Sequence, residues 1–276
     1  MAATPLHVAR PGVALAGETA GEGAPGAAPL LLLHGLTATR RYVVHGSRAL
    51  ERAGRRVIAY DSRGHGESGP PADGDYGYAA LAEDALAVLD AAGAERAVLV
   101  GQSMGAATAA AVALAAPGRV AALVAITPAH LGRPSADLER WDRLSEGLRS
   151  GGVEGFMGAY GTPRVPERQV AAVTTVIRQR LGRHRHPGAV ADALARTPRS
   201  AAFAGVAALA GVAAPTLVVA SRDEMDPEHP LAVAETWAGR IADAEMVVED
   251  PGESPLAWRG GSLSQAVLGF LARRGV

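Results

Sequence analysis

The sequence predicts an α/β protein, a mostly parallel, doubly wound sheet with an inserted helical lid. Three observations carry this expectation. Short apolar runs alternate with segments of helical composition, the pattern of strand–helix–strand units. One run, Leu30-Leu31-Leu32-Leu33, is apolar at every position, as in a strand covered on both faces. Strand signals also stop at Pro128 and resume at Pro215, with only helical patterns between them.

In order, residues 7–9 and 13–16 read as a hairpin around Pro11-Gly12, and residues 22–29 as a loop. The buried strand of residues 30–33 runs into His34-Gly35-Leu36, and a helix is expected over residues 43–53. Strands at 56–60, 97–100 and 121–126 alternate with helices at 76–91 and 103–115. Helices at 136–149, 152–160, 166–181 and 187–195 follow, with Pro and Gly between them. A strand at 215–220, a helix at 230–239, a strand at 244–248 and a helix at 263–273 complete the chain. The division expected is a core of residues 1–127 and 208–276 and a helical lid of residues 128–207.

Composition narrows the function. At 276 residues and 48% hydrophobic, the chain can bury one substantial core. A formal charge of -1 argues against nucleic acid or an anionic membrane surface as the main partner, leaving a small-molecule substrate. All 27 basic residues are arginine, which excludes a lysine Schiff base. With no cysteine there is no disulfide, thiolate nucleophile or cysteine-based metal site. No metal or organic cofactor is implied, and oligomeric state is left open. The first residues lack a basic segment followed by an apolar core, and the four-leucine run is too short to span a bilayer, so a cytoplasmic protein is expected.

The chemistry centres on Gly101-Gln102-Ser103-Met104-Gly105, which follows the apolar run Ala97-Val98-Leu99-Val100 and precedes an alanine-rich helical segment. A strand, a sharp turn and a helix together lift a serine hydroxyl above the end of a sheet. Glycines two residues either side of the serine remove side chains that would collide with the neighbouring strand and helix. The Met104 amide, at the helix start, points an N–H toward an oxyanion forming near Ser103.

With these residues in view, the chain resembles the α/β-hydrolase superfamily from about residue 30 to its end. The resemblance rests on His34-Gly35, on Asp61-Ser62-Arg63-Gly64-His65-Gly66-Glu67-Ser68, on the Ser103 pentapeptide and on Ser221-Arg222-Asp223, in that order on successive strand ends. It implies Ser103 as nucleophile, Asp223 as the acid of a catalytic triad, and the amides of Leu36 and Met104 as an oxyanion hole. It implies structural roles for His34, Arg63 and His65.

The family places its histidine base after the last strand, but Glu253 stands there, and no histidine follows His229. Three explanations compete. His229 is a relocated base, oriented by Glu253 or Asp223. Alternatively, Glu253 is the base, its pKa raised by a neighbouring Asp223. In the third, serine hydrolysis is lost and the fold supports a lyase- or isomerase-type step or ligand binding. His130, where the sheet hands over to the lid, is expected to contact substrate. Arg183-His184-Arg185-His186 reads as a solvated turn, and Trp141, Phe156, Met157 and Tyr160 as lid packing.

Overall fold

The computed structural model describes residues 3–222, 226–251, 258 and 260–276. Among the described residues, eight strands form one sheet: β1 (Thr4–Arg10), β2 (Val13–Ala20), β3 (Leu30–Leu33), β4 (Val57–Tyr60), β5 (Ala97–Gln102), β6 (Val120–Ile126), β7 (Thr216–Ala220) and β8 (Ala244–Val248). Their spatial order is β1-β2-β4-β3-β5-β6-β7-β8. The first two pairings, β1 with β2 and β2 with β4, are antiparallel, and the rest are parallel.

Alternation along the strands feeds two cores. Leu31, Leu33 and Leu99 point to one face, while Leu30, Leu32, Val98 and Val100 point to the other. The first face is covered by α2 (Tyr78–Ala91), α3 (Met104–Ala115) and α7 (Leu231–Arg240), and the second by α1 (Ala49–Arg52) and α8 (Gly260–Arg274). Burial on both faces explains why β3 has no polar position. The small side chains of α3, with Ala106, Ala107, Ala109 and Ala110 fully buried, let that helix sit against the sheet.

The chain passes from β3 to β4 on one side and then crosses back to β5 on the other, making the carboxyl ends of β3 and β5 a topological switch point. Such a point opens a crevice where ligands bind in parallel sheets. His34-Gly35-Leu36 leaves β3 there and Ser103 leaves β5.

The segment between β6 and β7 carries α4 (Leu138–Tyr160), α5 (Glu167–Leu181) and α6 (Pro187–Arg196). These helices share an apolar cluster that includes Leu144, Leu148, Phe156, Met157, Ile177 and Leu194, and Leu36 and Trp141 pack against it. Among the described residues no helix is long and apolar enough to cross a membrane.

One local expectation is corrected. The helix expected over residues 43–53 is only α1, because His45 (φ 47) and Gly46 (φ 71) cannot continue a right-handed helix. The two helices expected at 136–149 and 152–160 lie within α4, which a kink divides where Gly152 adopts the non-helical φ 59 and ψ -144.

Candidate active site

Ser103 occupies a strained turn between β5 and α3, with φ 52 and ψ -110. Its amide donates to the Ile126 carbonyl at 3.0 Å, tying the turn to β6. The glycines flanking it are required by close approach. A Cβ on Gly101 would lie 2.2 Å from the Gly105 carbonyl oxygen, and one on Gly105 only 2.0 Å from that of Leu33. Strand, serine and helix are thus pressed together, leaving the hydroxyl at the crest.

Beside it, residues 35–38 form a β-turn in which Ala38 N–H donates to Gly35 O at 3.0 Å. Thr37 occupies the third position with φ 66, a left-handed conformation that a β-branched residue rarely adopts. This hydrogen-bond pattern does not engage the amide of Leu36, at the second position. A Cβ on Gly35 would lie 3.5 Å from Ser103 Cβ, so the turn abuts the serine. His34 Nδ1–H donates to Gly35 O at 2.8 Å, and its Nε2 accepts from Ser62 N–H at 2.9 Å. The first bond fixes the peptide plane that carries Leu36 N–H. Complete burial pushes the His34 pKa down, outweighing Asp61, so the ring stays neutral and is committed to structure. Met104 is the first residue of α3, where backbone N–H groups lack intrahelical acceptors. Leu36, Ser103 and Met104 line one cavity.

The third component arrives from the turn before α7. His229 Nε2 lies 2.9 Å from Ser103 Oγ, and its Nδ1 lies 2.8 and 2.9 Å from the Asp226 carboxylate oxygens. With Nδ1–H donated to Asp226, Nε2 is the acceptor for the serine hydroxyl. The turn is held by Asp226 N–H to Arg222 O at 3.1 Å and by His229 N–H to Asp226 O at 3.0 Å. Burial disfavours the charged imidazole, but the Asp226 carboxylate and its hydrogen bond, with Glu228, prevail and raise the His229 pKa; Arg180 acts in the opposite sense. A carboxylate, an imidazole able to accept a proton and a hydroxyl are therefore in line. His229 does not cap α7, whose N-cap is Pro230 without a side-chain bond.

Asp223 and Glu253 lie outside the described residues. Among the described residues, the carboxylate at His229 Nδ1 is that of Asp226. The signal was present in Asp226-Pro227-Glu228-His229-Pro230, an acid three residues before a histidine between two prolines. The resemblance points away from it, because it puts acid and base on separate loops. Ser103, His229, Leu36, Met104 and His130 come together. His130 lines the cavity, with Nδ1 accepting from Gly132 N–H at 2.8 Å and its ring edge-on to Tyr78 and Phe203 at 4.9 and 5.3 Å. Burial lowers its pKa, which favours the neutral ring at the cavity wall.

One further expectation is corrected. His184 is not solvated: its Nδ1 accepts from Gly66 N–H at 2.9 Å and its Nε2–H donates to Thr37 O at 3.0 Å. Burial carries its pKa down to about 4.

The cavity measures about 370 Å³, the scale of a small-molecule site. Its apolar wall includes Leu36, Tyr78, Met104, Leu131 and Trp141, while Arg133, Arg140 and Glu228 supply charge. Among the described residues no cluster of three or more His, Asp or Glu side chains is placed to hold a metal ion.

Comparison with known proteins agrees with this architecture. Residues 28–259 match the family described as alpha/beta hydrolase fold. The chain is 30% identical over 228 residues to a protein of Variovorax paradoxus (strain S110) named "Putative carbamate hydrolase RutD", covering 82% of this chain and 84% of that one. Among solved structures it is similar to a thermophilic esterase from Thermogutta terrifontis, with 28% identity, a TM-score of 0.77 and 99% of each chain covered. It is also similar to the enol-lactonase from Burkholderia xenovorans LB400, with 25% identity, a TM-score of 0.76, and 96% of this chain and 99% of that one covered. The sheet order, the serine turn at its switch point and the match over residues 28–259 lead to one conclusion: the chain belongs to the alpha/beta hydrolase family.

Proposed function

We propose that this protein is a serine hydrolase that cleaves an ester or related acyl bond in a small, mostly apolar molecule. Ser103 is the nucleophile, His229 the general base displaced to the turn before α7, and Asp226 the acid that orients it. The observation carrying this reading is the 2.9 Å contact between His229 Nε2 and Ser103 Oγ, backed by the Asp226 contact on the opposite ring nitrogen. The relatives' names point the same way. Carbamates, esters and lactones all present an electrophilic carbonyl carbon to a nucleophile.

In this mechanism Ser103 Oγ attacks the carbonyl carbon while its proton passes to His229 Nε2. Asp226 stabilises the resulting imidazolium. The Leu36 and Met104 amides receive the oxyanion, aided by the positive end of α3. Collapse expels the leaving group with the proton from His229. Water, activated by the same imidazole, then releases the acyl group and restores Ser103. Residues 128–207 act as a cap; Pro134, Trp141 and Pro198 from that segment line the cavity.

The test is fluorophosphonate labelling together with turnover of short-chain p-nitrophenyl esters. Wild-type protein is expected to be labelled at Ser103, and Ser103→Ala to lose both label and turnover. His229→Ala is expected to lose up to about 10⁶ in kcat, the scale set by a triad histidine in a well-studied protease. Full turnover in His229→Ala would reject the assignment of the base, and an unlabelled wild type would reject serine hydrolysis.

A further inference from the structure

We infer that His184, on the loop between α5 and α6, is a positioning residue for the oxyanion turn. This inference rests on the proposed serine hydrolysis.

The argument starts from strain. Thr37 follows Leu36 directly and is buried in the left-handed region, φ 66, where its branched side chain is disfavoured. A strained conformation persists only where its surroundings determine it. Within the turn, Ala38 N–H and His34 Nδ1–H both converge on Gly35 O. The carbonyl of the strained Thr37 itself accepts from His184 Nε2–H at 3.0 Å. The donor comes from another part of the chain, 147 residues away.

His184 is itself held in register. Its Nδ1 accepts from Gly66 N–H at 2.9 Å, and the next residue, Arg185, donates its own N–H to Gly66 O at 2.8 Å. These two bonds dock the loop edge-on against the Asp61–Ser68 turn. The ring also packs edge-on to His65 at 5.6 Å between centroids, and His65 packs against His34 at 5.2 Å. Three neutral imidazoles therefore run from the helical insertion to the residue whose hydrogen bond sets the Leu36 peptide plane. In this arrangement the turn is held at both ends, by His34 from the end of β3 at Gly35 and by His184 from the insertion at Thr37. An oxyanion donor acts only when its N–H points at the developing charge, so a slackened turn weakens transition-state binding more than substrate binding.

The two ring nitrogens have different partners, and two amide side chains separate them. Glutamine places a donor near the Nε2 position and can keep the Thr37 bond. Asparagine reaches only the Nδ1 position and keeps the Gly66 bond alone. Steady-state kinetics, Ser103 labelling rates and thermal midpoints are measured for wild type, His184→Gln, His184→Asn and His184→Leu. Expected is a fall in kcat and labelling rate of about 10- to 100-fold in the Asn and Leu variants, below the 10²–10³ lost on deleting an oxyanion donor outright. KM should stay nearly constant, and Gln should restore most of kcat. Rescue by Asn rather than Gln would make the residue a tie to Gly66 only and overturn the inference. So would unchanged kcat in Asn and Leu, or losses that track the thermal midpoint across the series. If Leu does not fold, the Asn–Gln comparison still decides. Failure of the underlying reading looks different, because wild-type Ser103 would then resist labelling whatever stands at 184.

Discussion

Arg140 of α4 is ion-paired to Glu228, the residue immediately before His229, so the turn that carries the imidazole is tied to the helical insertion. The guanidinium also lies over the rings of Trp141 and Tyr160, 5.2 and 5.8 Å from their centroids. Both partners are partly exposed, so the pair contributes only about 0–1 kcal/mol to stability. Its larger effect is on where His229 sits. Arg140→Gln is expected to leave the thermal midpoint nearly unchanged while lowering kcat by about tenfold, since small misplacements of a catalytic group are costly. A Lys variant, which keeps the charge but loses the planar stack, should fall between the two. Equal kcat in all three would show that the turn holds itself.

The pH profile follows from the carboxylates around His229. Only its neutral form accepts the Ser103 proton, and Asp226 and Glu228 raise its pKa despite burial. Activity should therefore rise with pH through a midpoint above about 6.5, the ordinary histidine value. Asp226→Asn should move that midpoint down and lower kcat by about 10⁴, as loss of the orienting carboxylate does in a serine protease. Glu228→Gln should move the midpoint down with a smaller loss of kcat. The check is the acid limb of kcat/KM; a midpoint that ignores Asp226→Asn would dissociate this carboxylate from the base.

Much of this is legible in the sequence. The Leu30–Leu33 run announces a doubly covered strand because no polar residue is tolerated there, and the Ser103 turn announces itself because its geometry demands Gly101 and Gly105. What escaped the sequence depended on contacts distant along the chain or on tight local turns. The alternation Arg183-His184-Arg185-His186 looks solvated, and only folding places one imidazole between Gly66 and Thr37. Asp226 escaped because the resemblance puts acid and base on separate loops, whereas here one turn brings both together. The helix expected over residues 43–53 shrinks to α1 because the backbone inverts at His45 and Gly46, which an apolar helical pattern does not reveal.

Packing at the serine turn can be tested independently of catalysis. In Gly105→Ala the new methyl would lie 2.0 Å from the Leu33 carbonyl oxygen, a backbone atom of β3 that cannot rotate away as a side chain can. A cost of about 3 kcal/mol is expected, the upper end for overpacking. In a chain of this size that lowers the thermal midpoint by roughly 6–12 °C. Gly188→Ala is the control, since a Cβ there meets nothing within 4 Å. Equal midpoints for the two variants would contradict the close approach of α3 to β3.

The final prediction concerns acid. His34, His65 and His184 are held neutral, each with its pKa lowered chiefly by burial. The charged groups acting on them are Asp61, which raises His34 and His184, and Arg40 and Arg180, with Arg40 lowering His34 and Arg180 lowering both. His65 is lowered further by the other two rings. In the unfolded chain each histidine titrates near about 6.5. Above that pH neither state binds the protons and the stabilising contribution is complete. As pH falls below it, the unfolded chain takes up protons that the folded chain refuses, and stability declines until the folded pKa is reached, about 4 for His184. His229 runs the other way: its contribution is complete below about 6.5 and lost as pH rises through its raised folded value. Urea unfolding should therefore show stability falling between pH 6.5 and pH 5, before most carboxylates titrate, by up to about 1.4 kcal/mol per pH unit for each excess proton. His184→Gln should shallow that slope by the share of one proton. A flat profile over this interval, or an unchanged slope in the variant, would mean that these imidazoles take up protons in the folded protein.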